Sequence, residues 1–276
     1  MQCTGTAHTP DMTAEGQAGV PAFVRLAAHP VRWRLMTELA VGDHRVRELV
    51  ARIGEPQNLV SYHLRLLRDG GLVTSARSSA DRRDSYYRLD LDRCAQGLGA
   101  SGAALHPALR PGARTDEVLP PAGAAPWPGD VEVLFVCTGN SARSPIAEAL
   151  LRHHSGGLVS TTSAGSRPRD RLHPDAVRAL RDASGIDLAG QAPRHLDSLA
   201  GRRFDVVVTL CDKAREVCPD FPGQRRTLHW SVRDPAAADR PEAGDAAFRR
   251  AVADIDTRVR YLLPVLTATA RPESPP

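Results

Sequence analysis

The stretch Val133-Leu-Phe-Val-Cys-Thr-Gly-Asn-Ser-Ala-Arg-Ser-Pro-Ile-Ala-Glu-Ala-Leu-Leu151 allows few folds. Its apolar run ends on Cys137 and reads as a strand buried on both faces. Turn-forming residues follow, and then a helical pattern. A loop of this kind can turn its backbone N–H groups inward. It then makes a cradle for a tetrahedral oxyanion, backed by the positive end of the next helix. Gly139 lets the chain turn tightly. Asn140 is expected to support the loop through side-chain hydrogen bonds, and Thr138, Ser141 and Ala142 complete it. Arg143 can grip two oxyanion oxygens at once, and Ser144 can donate a hydrogen bond to the sulfur. The helix end and Arg143 favour a thiolate at Cys137. A nucleophile and its anionic substrate thus share one pocket, with Cys137, Arg143 and Ser144 as candidate catalytic residues.

The surroundings set the fold class. The strand runs VEVLFV and FDVVVTL alternate with helical stretches from Asp130 onward, the signature of an α/β domain with a parallel sheet over 130–267. The chain has 276 residues, enough for two domains, and 42% hydrophobic residues. Residues 1–18 read as a disordered tail without the basic start or apolar core of a signal peptide. No apolar run reaches the length of a membrane span. A cytoplasmic protein with no membrane partner is expected. The five cysteines, at 3, 94, 137, 211 and 218, are too scattered for a disulfide scaffold and point to catalysis or redox chemistry. Neither a metal site nor a cofactor is expected. The net charge of +4 is compatible with an anionic partner.

Residues 19–96 form a different, mainly helical unit. Val46, Leu49, Val50 and Ile53 mark one face of a short amphipathic helix ended by Gly54. Pro56 fits the first turn of the next helix, on which Leu59, Leu64 and Leu67 are expected to face inward. Two helices joined by a short glycine-containing turn make a helix-turn-helix. Gln57, Asn58, Ser61, Tyr62 and Arg65, with His63 beside them, are candidates to reach bases and phosphates in a major groove. Two strand-like pieces around the polar tip at 77–89 read as a β-hairpin wing, whose Arg82 and Arg83 would lie along the phosphate backbone. Residues 20–94 hold 13 arginines against 9 acidic residues. Residues 97–129 are a Gly/Ala/Pro-rich linker with room for a short dimerisation helix at its start, and 268–276 form a tail. Such a linker predicts independent domains.

The segments AAHPVRWRLMTELA, EPQNLVSYHLRLLRDGGLV and RRDSYYRL together resemble the ArsR family of winged-helix repressors. The resemblance implies a homodimer, formed through this domain, on palindromic operator DNA. Metal-sensing members carry Cys-Val-Cys where this chain has Arg45-Val46-Arg47, so that thiolate sensor is absent. Cys94, just after the wing, and Cys3, in the tail, read as lone cysteines, with a substitute sensor site across a dimer as the alternative.

The Cys137 loop resembles that of the low-molecular-weight protein tyrosine phosphatase fold, which phosphatases share with one class of arsenate reductases. Thr162-Ser-Ala-Gly165 is similar to that fold's second-strand motif; its serine either buttresses the loop or is a turn residue. Thr209-Leu-Cys-Asp212, Cys218-Pro219 and His229-Trp-Ser-Val-Arg-Asp-Pro235 resemble the thioredoxin-coupled reductases. That resemblance implies a relay in which Cys137 attacks arsenate, Asp234 acts as general acid, Cys211 attacks the Cys137 sulfur, and Cys218 attacks Cys211. A thioredoxin-like or mycothiol-type reductant would then reset the thiols. The leading expectation is a transcriptional regulator fused to an arsenate reductase. Two others stay open: a regulator fused to a tyrosine phosphatase, and a transcription factor whose second domain senses an oxyanion or redox state without turnover.

Overall fold

The computed structural model describes residues 20–81, 83–106, 109, 131–188, 190–237 and 241–268. The expected tail at 1–18, residues 269–276 of the expected tail at 268–276, most of the linker, Cys3 and Arg82 lie outside these; Ala268 ends the last helix.

In the first domain, α1 (Ala22–Ala27) is separated from α2 (Pro30–Val41) at His29-Pro30, as a helix-breaking proline requires. His29 caps α2 by accepting the Val31 N–H at 3.2 Å. Helix α3 (Val46–Ile53) ends at Gly54, whose φ of +73° suits glycine, and α4 (Gln57–Asp69) follows. Pro56 sits at the cap of α4, one position before the first turn. Leu35, Leu39, Leu49, Ile53, Val60, Leu64 and Leu67 form the core. Val60 takes the inward place expected for Leu59, which is only half-buried. Strands β1 (His44–Arg45), β2 (Val73–Arg77) and β3 (Ser85–Leu89) pair antiparallel in the order β1-β3-β2, so the wing is a hairpin closed by one extra short strand. Helix α5 (Leu91–Leu105) begins six residues before the expected linker, capped by Asp90. Cys94 is buried in the core, where burial pushes its thiol up to about 11.

The second domain is a parallel sheet in the order β5-β4-β6-β7: β4 (Glu132–Cys137), β5 (Ser160–Gly165), β6 (Val206–Thr209) and β7 (Arg226–His229). Helices α6 (Arg143–His154), α7 (Pro174–Ser184), α8 (Asp212–Val217) and α9 (Pro241–Ala268) connect and follow the strands. Val133 to Val136 and Val206 to Val208 are buried, which explains their unbroken apolar runs. Strands β4 and β6 are neighbours, so the residues just past their carboxyl ends, where open parallel sheets build their sites, come together.

The domains are not independent, contrary to the linker-based expectation. Arg258 of α9 is buried against Asp43 at 3.1 Å, and the Asp43 carboxylate also accepts the Ser231 N–H at 2.7 Å. The Asp43 N–H donates to the His229 carbonyl at 2.8 Å. Arg88 of the wing pairs with Asp254 at 2.8 Å. Buried charges of this kind must be paired, and here each domain supplies the other's partner. Sequence spacing cannot show such a contact between residues some two hundred positions apart.

Candidate functional site

The Cys137 loop is held from outside. The carbonyls of Cys137, Thr138, Gly139 and Ser141 accept the N–H groups of Ser166, Arg167, Arg169 and His173, at 3.2, 2.8, 2.9 and 2.8 Å. With its carbonyls engaged there, the loop's N–H groups are left free of those bonds. That of Asn140 points at the Cys137 sulfur, 3.2 Å away. Ser144 Oγ stands 3.0 Å from the same sulfur.

Asn140 is the centre of this arrangement. Its Nδ2 donates to Ser144 Oγ and to Ser163 Oγ, both at 2.9 Å, and its Oδ1 accepts the Arg194 N–H at 2.8 Å. Asn140 also carries the left-handed turn, with φ of +43°, a role the sequence suggested for Gly139. Gly139 has no positive φ, and a Cβ there would meet Ser141 Oγ at 3.2 Å. Ser163 lies within β5 and supports the loop, which decides between its two readings. Gly165, not assigned from sequence, is needed for space: a Cβ there would stand 2.7 Å from the Thr138 carbonyl oxygen.

Arg143 is buried. It donates to the Val232 carbonyl at 3.1 Å and pairs with the half-exposed Asp234 carboxylate at 3.3 Å. The Asp234 carboxylate and the Arg143 guanidinium therefore stand side by side. Cys211 caps α8 at the end of β6, and its sulfur lies 3.2 Å from Thr138 Oγ1. Cys218 caps the other end of α8 and is only half-buried; burial pushes its thiol up to about 11.

A polar cluster missed from sequence holds the start of α8. The Asp212 carboxylate pairs with His229 Nε2 at 3.1 Å and accepts the Ser231 hydroxyl at 2.7 Å. Burial alone would raise its pKa; hydrogen bonds from His229, the Ser79 N–H and Ser231 outweigh that and hold it well below the usual carboxylate range. Both partners lie in motifs quoted above, Thr209-Leu-Cys-Asp and His229-Trp-Ser, but only the sheet shows that the motifs meet.

On the first domain, Gln57, Asn58, Ser61, Tyr62 and Arg65 are exposed on α4, and Arg83 is exposed near the wing tip. Asn58, Ser61, Tyr62, Arg65 and Arg68 line a shallow concavity with Tyr87. His63 departs from this set. It is buried, with its ring 4.3 Å from that of His29, because it shares the inward stripe of Val60, Leu64 and Leu67. Burial first, then the nearby His29 and Arg32, lower its pKa.

Known proteins match the two halves separately. Residues 29–75 match the bacterial regulatory protein arsR family. An arsenate reductase from Brevibacillus brevis is 37% identical over 128 residues, 46% of this chain and 90% of that protein. One from Bacillus subtilis is 38% identical over 122 residues, 44% of this chain and 86% of its own length. A solved arsenate reductase in a phosphate-binding state is similar at 28% identity and a TM-score of 0.43, covering 49% of this chain and 98% of that one. Residues 132–271 match the low molecular weight phosphotyrosine protein phosphatase family, a match that takes in β4, the Cys137 loop, Arg143 and the Asp234 segment. Through that half, the chain belongs to the low molecular weight phosphotyrosine protein phosphatase family.

Proposed function

We propose that this chain is a DNA-binding regulator fused to an arsenate reductase working by a three-cysteine relay. The observation that carries this reading is the spacing of the thiols. Cys137 lies in the oxyanion loop, Cys211 touches that loop through Thr138, and Cys218 stands one short helix further out. A phosphatase has no use for the second and third thiols. The curated arsenate reductases, similar along most of their length, support the same choice.

Arsenate is held by Arg143 and the loop amides. The Cys137 thiolate attacks arsenic, Asp234 gives a proton to the departing oxygen, and water leaves. Cys211 then attacks the Cys137 sulfur; the S–As bond breaks with its electron pair on arsenic, and arsenite departs. Cys218 attacks Cys211 and frees Cys137 as thiolate, leaving a Cys211–Cys218 disulfide. A thioredoxin-like or mycothiol-type reductant supplies the two electrons that reset it. Exposed α4 and the wing serve operator DNA, in a homodimer formed through the first domain, and the protein works in the cytoplasm.

The test is arsenate-dependent NADPH oxidation with thioredoxin and thioredoxin reductase, beside hydrolysis of an aryl phosphate. Cys218→Ser should lose arsenate turnover and keep ester hydrolysis. Ester hydrolysis in both proteins, without arsenate turnover in either, would identify a phosphatase instead.

A further inference from the structure

Helix α8 has two jobs in this fold. It is six residues long, with Cys211 at one end and Cys218 at the other. Three of those six residues hold the DNA-binding domain. Asp212 accepts the N–H of wing residue Ser79 at 2.6 Å and its hydroxyl at 3.0 Å. Arg215 donates to Glu48 of α3 at 2.8 Å. Glu216 accepts from Arg45, which is buried beside Tyr86 and also pairs with Asp84. Glu48 in turn accepts the Arg45 N–H at 2.8 Å and so caps α3. The position that resembles the first thiol of a metal-sensing site thus carries an arginine tied to the helix between two relay thiols.

That helix cannot survive the last relay step intact. Seven residues at the helical rise separate two Cα atoms by about 10 Å. A disulfide needs them within about 7 Å. One end of α8 must therefore leave the helix before the Cys211–Cys218 bond can close, and Asp212 adjoins one end while Glu216 lies near the other.

We propose that closing the Cys211–Cys218 disulfide undocks the winged helix from α8, so that the DNA-binding domain reads the oxidation state of the relay. The proposal rests on the relay reading above. The Cys218 thiolate attacks Cys211 Sγ of the Cys137–Cys211 disulfide; one S–S bond forms, one breaks, and Cys137 leaves as thiolate. Arsenate has by then accepted the two electrons, and the external reductant returns them and restores α8. Other domain contacts, among them Asp43 with Arg258, Ser231 and the His229 carbonyl, Arg88 with Asp254 and Tyr261 with Asp92, do not involve α8 and act as the pivot. Alternation along β3 sets the direction of the effect. Tyr86 and Arg88 reach toward the second domain, whereas Tyr87 between them lines the concavity with α4. A wing fixed at Ser79 presents that concavity preorganised, and a released wing must be ordered on binding. Reduced protein therefore binds DNA more tightly than oxidised protein.

The experiment uses the full chain, reduced with dithiothreitol or oxidised with arsenate and no reductant, with disulfides mapped by peptide mass spectrometry. Hydrogen–deuterium exchange is then read in α8, α3 and wing residues 76–81, together with affinity for a short mixed-sequence duplex at low salt. With Cys211–Cys218 closed, these segments should lose protection, and affinity should fall severalfold. Cys218→Ser, which stops at Cys137–Cys211, should keep both. A mapped Cys211–Cys218 disulfide with unchanged protection or unchanged affinity overturns the coupling while leaving the relay standing. If arsenate closes no disulfide, the relay reading fails and diamide is used to close the same pair. The coupling then stands or falls on that oxidised form, and a pair that diamide also cannot close overturns it.

Discussion

The Cys137 loop and α8 lie side by side at the carboxyl ends of β4 and β6, yet they are built in opposite ways. The loop is braced within its own domain: four of its carbonyls are taken by the 166–173 segment, and Asn140 ties it to Ser144, Ser163 and Arg194. Helix α8 is short, and half of its residues make polar contacts with the other domain. The loop must present fixed dipoles to a developing charge, which rewards preorganisation. The helix must let two thiols at its ends approach, which rewards weak, replaceable contacts. The division of bonds follows the division of work.

Substitutions should separate the two. Asp234→Asn leaves the loop intact and removes the proton donor, so single-turnover adduct formation should fall by about 10²-fold or more. Asn140→Ala strands buried partners and puts alanine at a left-handed φ, so unfolding free energy should drop by about 2–3 kcal/mol, with arsenate turnover falling alongside. Gly165→Ala presses a methyl onto the Thr138 carbonyl; overpacking of this kind costs about 1–3 kcal/mol and should raise KM for arsenate more than it lowers kcat. Arg215→Ala, by contrast, should cost less than about 1 kcal/mol and leave kcat nearly unchanged. Equal penalties at Asn140 and Arg215 would erase the contrast.

A further expected effect is on pH dependence. Burial alone would raise Glu48, but His44, the Arg45 N–H and Arg215 bring it down to about 2 from 4.5. Asp212 lies lower still than its ordinary 3.8. Both folded values are depressed, so the stability they give is complete above pH 4.5 and is lost as pH falls toward about 2. Thermal unfolding across that range should show a shallower acid loss for Glu48→Gln than for the wild type; parallel curves would contradict it.

The sequence made the loop legible because its chemistry is contiguous: Cys137, Asn140, Arg143 and Ser144 fall within one turn and the start of one helix. Its supports were less so. Ser163 was visible only as one of two readings, and Gly165 acts through a strand pairing that spacing does not reveal. His63 carried its own signal, standing three residues after Val60 and four before Leu67 on the apolar stripe, yet neighbouring polar residues placed it with the groove candidates. The Asp212–His229–Ser231 cluster and the domain contact depend on sheet order and on pairs far apart in the chain, such as Asp43 with Arg258. A linker rich in glycine and proline says nothing about what its ends find.

The most direct measurement is to trap the relay: react reduced wild type, Cys218→Ser and Cys211→Ser with arsenate, without reductant, and map the disulfides by mass spectrometry. Wild type should give Cys211–Cys218, Cys218→Ser should give Cys137–Cys211, and Cys211→Ser should give no disulfide. A disulfide absent from wild type, or unchanged in Cys211→Ser, would contradict the relay.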